Sequence, residues 1–452
     1  MDELNKNNHV LLGKTARTLA ILTAMAAVPY AIPELARYRA LVSQSQSTER
    51  DAEIDSLDIT ASETKRSARP GEIEDPSGRA LDAFFEALHR TETEGAQTRV
   101  CHYGDSPITN DGITSTVRRK LQLRFGDAGH GFILIARPWG WYNHEGVRHE
   151  ATRGWRSDPM WIGRGDHFYG LGGASFTAIA GERASFSTAE RGDVGRSVSA
   201  FDIYFLRRPG GGEFDIEVDG IFRERISTAG DKTEPAFHRV EVGKGAHTLT
   251  LITASGEVRL FGIALDSNER GVQYDSLGVN GAFIGLLANY LDADHWAEQL
   301  QHRDPQLVII GYGANESQFE RLQMDQYERD TREVIKRIRA ALPRASIMLV
   351  GPMDRGQRGA GGQIITRKMI MKLISYQRRI AAETGCAFFD TFSAMGGEGT
   401  VARWHESKPR LMGGDLTHPT AQGAEIVGSL IYDAIIKAYE VWSLESGVES
   451  RF

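Results

Sequence analysis

Cysteine is scarce. The 452-residue chain holds two, Cys101 and Cys386, too few for a disulfide framework or a thiolate zinc site; both read as small buried hydrophobes. An excess of one charge is missing as well, since 53 Lys and Arg stand against 60 Asp and Glu, a net −7 spread along the chain. That argues against a nucleic-acid binder or a polybasic membrane-surface protein. Metal-ligand spacing is missing among the 13 histidines. His144 and His149 lie five apart in a Trp/Gly-rich loop with nothing to complete a site, so neither metal nor cofactor is expected. The glycine-rich Arg355–Gly362 lacks the Lys-Ser/Thr of a phosphate-binding loop and reads as a mobile loop bordering a cleft.

Long apolar runs are confined to one stretch, Thr18 to Pro33, sixteen residues without a charge. A spanning helix wants ~20 apolar residues and a signal-peptide core about 7–15, so the run sits between the two. Lys6, Lys14 and Arg17 precede it and the cleavage pattern is poor. Residues 1–41 therefore read as an uncleaved signal-anchor region. It would hold the rest of the chain in the cell envelope, periplasmic or extracytoplasmic, on the inner membrane. Residues 42–75 have almost no large apolar groups and read as a disordered linker, unable to bury enough surface to offset ordering entropy.

What remains is ordinary globular protein, 41% apolar and 25% charged, enough for two or three domains. Leu81, Phe84, Phe85 and Leu88 have helical spacing, with Ser77 as candidate cap. A strand, Arg99 to Tyr103, runs into Gly104-Asp105-Ser106, and a helix with Ile113, Val117 and Leu121 on one face follows. From Trp139 to Asp266 no helix is evident. Short strands such as 201–205, 214–218 and 249–252 recur instead, with Asp219-Gly220 as a hairpin turn. Alternation of strand and helix resumes at Gly278, with apolar strands at 307–310, 346–350 and 386–389 and a last helix from about Ala421 to Val441. All-apolar strands in βαβ order imply a doubly wound, flavodoxin-like parallel sheet covered on both faces. The fold class is thus α/β, with an inserted jelly-roll-like β-sandwich. The α/β part would take residues 76–138 and 267–445, and the sandwich 139–266.

Four short segments carry chemistry: Gly104-Asp105-Ser106, Gly278-Val279-Asn280-Gly281, Gly313-Ala314-Asn315-Glu316 and Asp415-Leu416-Thr417-His418. The first and third follow strands, where open α/β sheets bind ligands. Ser106 needs a base, and the base needs a third group to fix its tautomer; His418 and Asp415, three apart, fill those roles. Singly each segment has a plain structural reading, a turn or a helix cap. Their conjunction on one sheet favours chemistry.

That conjunction resembles the SGNH (GDSL-type) hydrolase family, with Ser106, Gly281, Asn315 and His418 in the four blocks and Asp415 in its usual place. The resemblance implies a serine esterase with Ser106, His418 and Asp415 catalytic. Its oxyanion hole would be the backbone N–H groups of Ser106 and Gly281 and the Asn315 amide. Glu316 stands where Asp is commoner, and Pro107 replaces the usual leucine. The strings 102–106, 124–132 and 274–282 look like bacterial O-acetylpeptidoglycan esterases, which also carry an inserted carbohydrate-binding-like sandwich. Those usually have His-Ile-Gln after Gly-Asp-Ser, and this chain has Pro107-Ile108-Thr109. The resemblance implies an acetylated polysaccharide or peptidoglycan as substrate, with membrane contact through the N-terminal segment. Trp139, Trp141 and Tyr142 would stack on sugars or fill the sandwich core. An O-acetyltransferase on the same site, or a non-catalytic glycan-binding protein, are the alternatives.

Overall fold

The computed structural model describes residues 69–162 and 165–448. The expected anchor at 1–41 lies outside the described residues, as does most of the expected linker. Among the described residues no helix is long and apolar enough to cross a membrane.

A six-stranded sheet organises the α/β part. Across it run Ile73–Glu74, Ala387–Phe389, Ser346–Val350, Leu307–Gly311, Gln97–Gly104 and Gly271–Gly278. All neighbours are parallel except the two-residue edge, Ile73–Glu74, which is antiparallel to Ala387–Phe389. Read from the far edge, the five parallel strands come in chain order 2-1-3-4-5, which is flavodoxin-like. The reversal falls between Gln97–Gly104 and Leu307–Gly311, so the loops after these two strands diverge and leave a crevice. Leu307–Gly311, Ser346–Val350 and Ala387–Phe389 are almost wholly apolar because helices cover both faces, whereas Gly271–Gly278 buries Gln273 and Asp275. On one face the helices Asp82–Glu94, Gly112–Phe125 and Ala421–Glu445 bring Phe84, Val117 and Ile431 against Val100, Ile309 and Met348. On the other, Trp296 of the helix Ala293–Arg303 donates its ring N–H to the Tyr103 hydroxyl at 3.0 Å.

Three expectations for the α/β part need correction. Residues 73–74, assigned to the linker, are an edge strand, fixed by an ion pair from Glu74 to Arg378 at 2.7 Å. Two paired residues carry no periodicity for a sequence reading to find. Ser77 does not cap the first helix, whose N-cap position is Leu81; Ser77 folds onto Asp75 in the preceding turn. The segment Arg355–Gly362 is not a loose loop, because Gly356–Arg358 pairs with Ile364–Thr366 in an antiparallel hairpin.

Between the first and second parallel strands the chain builds two antiparallel sheets, so sheet types are mixed. One orders Ile221–Ser227, Glu213–Val218, Thr248–Ser255, Arg183–Ser187 and Arg148–Ala151; the other orders Glu234–Gly245, Val198–Arg207, Val258–Asp266, Ala174–Ala178 and Arg156–Pro159. Gly129–Leu134, assigned from sequence to the α/β part, pairs with Val258–Asp266 instead. Asp219 and Gly220 both have positive φ, as the hairpin turn between Glu213–Val218 and Ile221–Ser227 requires. Phe205 of the second sheet meets Phe214 of the first, with ring centres 5.6 Å apart.

The detour departs and returns at one place. Ser267 N–H donates to the Ala128 carbonyl at 2.8 Å, and Asp127 bridges to Val272. Buried Arg303 joins the two regions: it grips Asp275 of a parallel strand at 2.8 and 2.9 Å and Asp266, at the end of an antiparallel one, at 3.2 Å.

Candidate active site

The strand Gln97–Gly104 ends in a sharp change of direction. Asp105 is extended, and Ser106 begins the single-turn helix Ser106–Thr109, which lifts its hydroxyl to the sheet's rim. Gly278 lets the neighbouring strand pass: a Cβ there would lie 2.4 Å from the Thr109 nitrogen. Val279 N–H then bonds the Gly104 carbonyl at 3.0 Å, which sets the second segment beside the first. Gly281 follows at φ +73° within the turn closed by Ala282 N–H to Val279 O, a conformation that favours glycine. The third segment leaves the strand Leu307–Gly311 and is tied back twice. Asn315 donates its amide to the Ala282 carbonyl at 3.0 Å, and Ala314 N–H donates to the Asp105 carboxylate at 3.1 Å.

The fourth segment reaches in from before the long C-terminal helix. His418 Nε2 lies 2.7 Å from Ser106 Oγ, and its Nδ1 lies 2.6 Å from Asp415 Oδ2. Asp415 Oδ1 accepts the N–H groups of Thr417 and His418, each at 3.0 Å. Burial pulls the Asp415 carboxyl upward, but the His418 side chain and these N–H groups outweigh it and hold it well below the usual carboxylate range. Asp415 is therefore ionised and fixes the proton on Nδ1, leaving Nε2 to accept from the serine. Ser106 is buried, while the His418 side chain is 41% exposed. Thr420 caps the helix Ala421–Glu445 immediately beyond, so a rigid element anchors the loop. All five residues singled out from sequence, Ser106, Gly281, Asn315, Asp415 and His418, thus stand on segments joined by direct bonds.

Three contributors were not legible as such. Arg355 spans two segments: its Nε donates to Thr417 Oγ1 at 3.0 Å, and its Nη1 donates to the Ala314 carbonyl and, at 3.4 Å, to Ser317 Oγ. Its glycine-rich surroundings were the one hint of a loop near the cleft. Asp105, within the recognised motif but given no role, is pushed up to about 7 by burial, against the pull of Arg355 and His418. Glu316, the departure from the commoner Asp, accepts from Ile284 N–H at 2.9 Å at the start of the helix Ile284–Asn289. Burial pushes its carboxyl to about 8. His144 and His149 each bond a backbone carbonyl, of His130 and Ile135. Tyr142 is buried and Trp141 exposed. Among the described residues there is no cluster of metal-ligating side chains.

Residues 255–426 match the GDSL-like Lipase/Acylhydrolase family. The matched segment contains Gly281, Asn315, Asp415 and His418; Ser106 precedes it, separated by the antiparallel sheets. No curated protein sequence matches the chain. Among solved structures, a peptidoglycan O-acetylesterase shares the fold, with a TM-score of 0.68 and 22% identity over 82% of this chain and 99% of that one. A family two carbohydrate esterase from Clostridium thermocellum is more distant, at 14% identity and a TM-score of 0.28 over 60% of this chain and 98% of that one.

Proposed function

We propose that the chain, whose residues 255–426 match the GDSL-like Lipase/Acylhydrolase family, is an esterase of the SGNH class that removes O-acetyl groups from a cell-envelope glycan through an acyl-enzyme on Ser106. The observation that carries this is the relay from Asp415 through His418 to Ser106, with bonds of 2.6 and 2.7 Å, beside the Asn315 amide. Ser106 Oγ attacks the ester carbonyl carbon as its proton passes to His418 Nε2. The backbone N–H groups of Ser106 and Gly281 and the Asn315 amide receive the developing oxyanion. His418 then protonates the departing glycan oxygen, leaving acetyl-Ser106. A water, deprotonated by the same imidazole, releases acetate. The half-exposed His418 gives water ready access to the base.

The antiparallel sheets of 139–266 are read as an inserted sandwich that flanks the glycan. Residues 1–41 are read as the anchor that keeps the enzyme on the outer side of the inner membrane. An acetylated envelope polymer as substrate accords with the likeness to a peptidoglycan O-acetylesterase. The deciding experiment compares the parent with Ser106→Ala on p-nitrophenyl acetate and on acetylated sacculi, by acetate release. Loss of at least about 10³ in kcat is expected on both. Equal rates would end the reading.

A further inference from the structure

Beside the loop bearing Asp415 and His418 lies an open groove of about 590 Å³. One wall is the hairpin Gly356–Arg358 with Ile364–Thr366; the other runs from His405 to Arg410, across the end of the helix Thr400–Glu406. Both walls are bonded to the catalytic loop. Gly356 N–H donates to the Leu416 carbonyl at 2.9 Å, and the His405 ring Nδ1 lies 3.2 Å from the Gly413 carbonyl. The groove's walls are thus braced against the fourth segment.

Its lining is cationic. Arg358, Lys408 and Arg410 face it with exposed side chains, and Glu406 is its one acidic residue. Arg358 reaches only the Gly362 carbonyl, at 3.2 Å; among the described residues neither Lys408 nor Arg410 is in an ion pair. This runs against the sign of the molecule. The chain is −7 overall, yet from 355 to 382 it has seven Lys and Arg and no Asp or Glu. In that stretch Arg378 and Arg379 are paired with Glu74, Asp390 and Glu328, whereas Arg358, Lys408 and Arg410 at the groove have no ion pair among the described residues. A concave cationic surface concentrates anions, and guanidinium forks match carboxylates in particular.

We propose that this groove is a substrate subsite for carboxylates on the polymer next to the acetyl ester, which makes the enzyme select acidic over neutral acetylated glycans. The proposal rests on the polymer-deacetylating reading above and names its substrate class. The carboxylates can belong to stem peptides of peptidoglycan or to uronic acids of a polysaccharide, and the test separates these sources.

The test compares the parent with Lys408→Glu/Arg410→Glu, and with the milder Lys408→Gln/Arg410→Gln, on acetylated peptidoglycan, an acetylated polyuronate and acetylated neutral xylan. The acidic-to-neutral ratio of kcat/KM is expected to fall about tenfold in the reversal variant and less in the neutral one, mainly through KM. Added salt should lower the parent's ratio in the same sense. The polymer whose ratio falls more identifies the source. An equal change on acidic and neutral polymers, or a parent with no preference for either acid, overturns the proposal. Co-sedimentation with deacetylated acidic polymer needs no turnover. Loss of this binding in the variants supports the groove even if acetate release fails, whereas a parent that deacetylates but binds no better than its variants overturns it.

Discussion

Arg355 joins the loop after the strand Leu307–Gly311 to the loop before the helix Ala421–Glu445. Its guanidinium holds the Ala314 carbonyl, one residue before Asn315, and the Thr417 hydroxyl, one residue before His418. Lysine keeps the charge but lacks the fork, so it cannot serve both partners at once. Arg355→Lys should lower kcat on p-nitrophenyl acetate by about tenfold to a hundredfold with KM little changed, because small displacements of reacting groups are costly. A purely structural arginine would move the melting temperature and leave kcat of the folded enzyme alone. Steady-state kinetics beside a thermal melt separates the two. The glycine-rich segment hinted at a loop by the cleft but not at this role, since the two partners lie 41 and 62 positions away.

Elements meet at the rim through carboxyl groups whose pKa burial raises. Asp105, at the end of one parallel strand, accepts from the loop that follows the next, and its folded pKa of about 7 lies above the ordinary value of 3.8. The folded state therefore keeps a proton that the unfolded chain releases, and the Asp105 contribution to stability falls as pH climbs from about 4 to about 7. Asp105→Asn keeps an acceptor for Ala314 N–H and removes the titration. Urea midpoints of the variant should decline less over that window than those of the parent, and parallel curves would refute the assignment. Glu316 retains its own decline toward pH 8 in both proteins. Asp111, held by Arg118 at about 2 despite burial, works the other way: its contribution is lost as pH falls from about 4 toward 2. The parallel strands and the four chemical segments were legible because apolar runs and loop motifs are local. The Glu316 cap and the edge strand Ile73–Glu74 were not, because each is defined by a partner remote in sequence.

For the molecule as a whole, the seam between parallel and antiparallel sheets depends on a charged cluster. Arg303 is buried among Asp266 and Asp275, and Asp275 also accepts Phe132 N–H at 2.8 Å and the Cys101 thiol at 3.3 Å. Arg303→Met would leave Asp275 in the interior without its counter-charge and Asp266 with Arg239 alone, a cost of about 3–5 kcal/mol. Guanidinium unfolding should register that loss, and a change below about 1 kcal/mol would mean that water reaches the seam. Sequence patterning found the strands on either side but not the seam, since Gly129–Leu134 chooses a partner some 130 residues onward. The doorway formed by Ala128 and Ser267 has one more implication. A peptide link of a few residues could bridge that gap without rerouting any strand that bears Ser106 or Asn315.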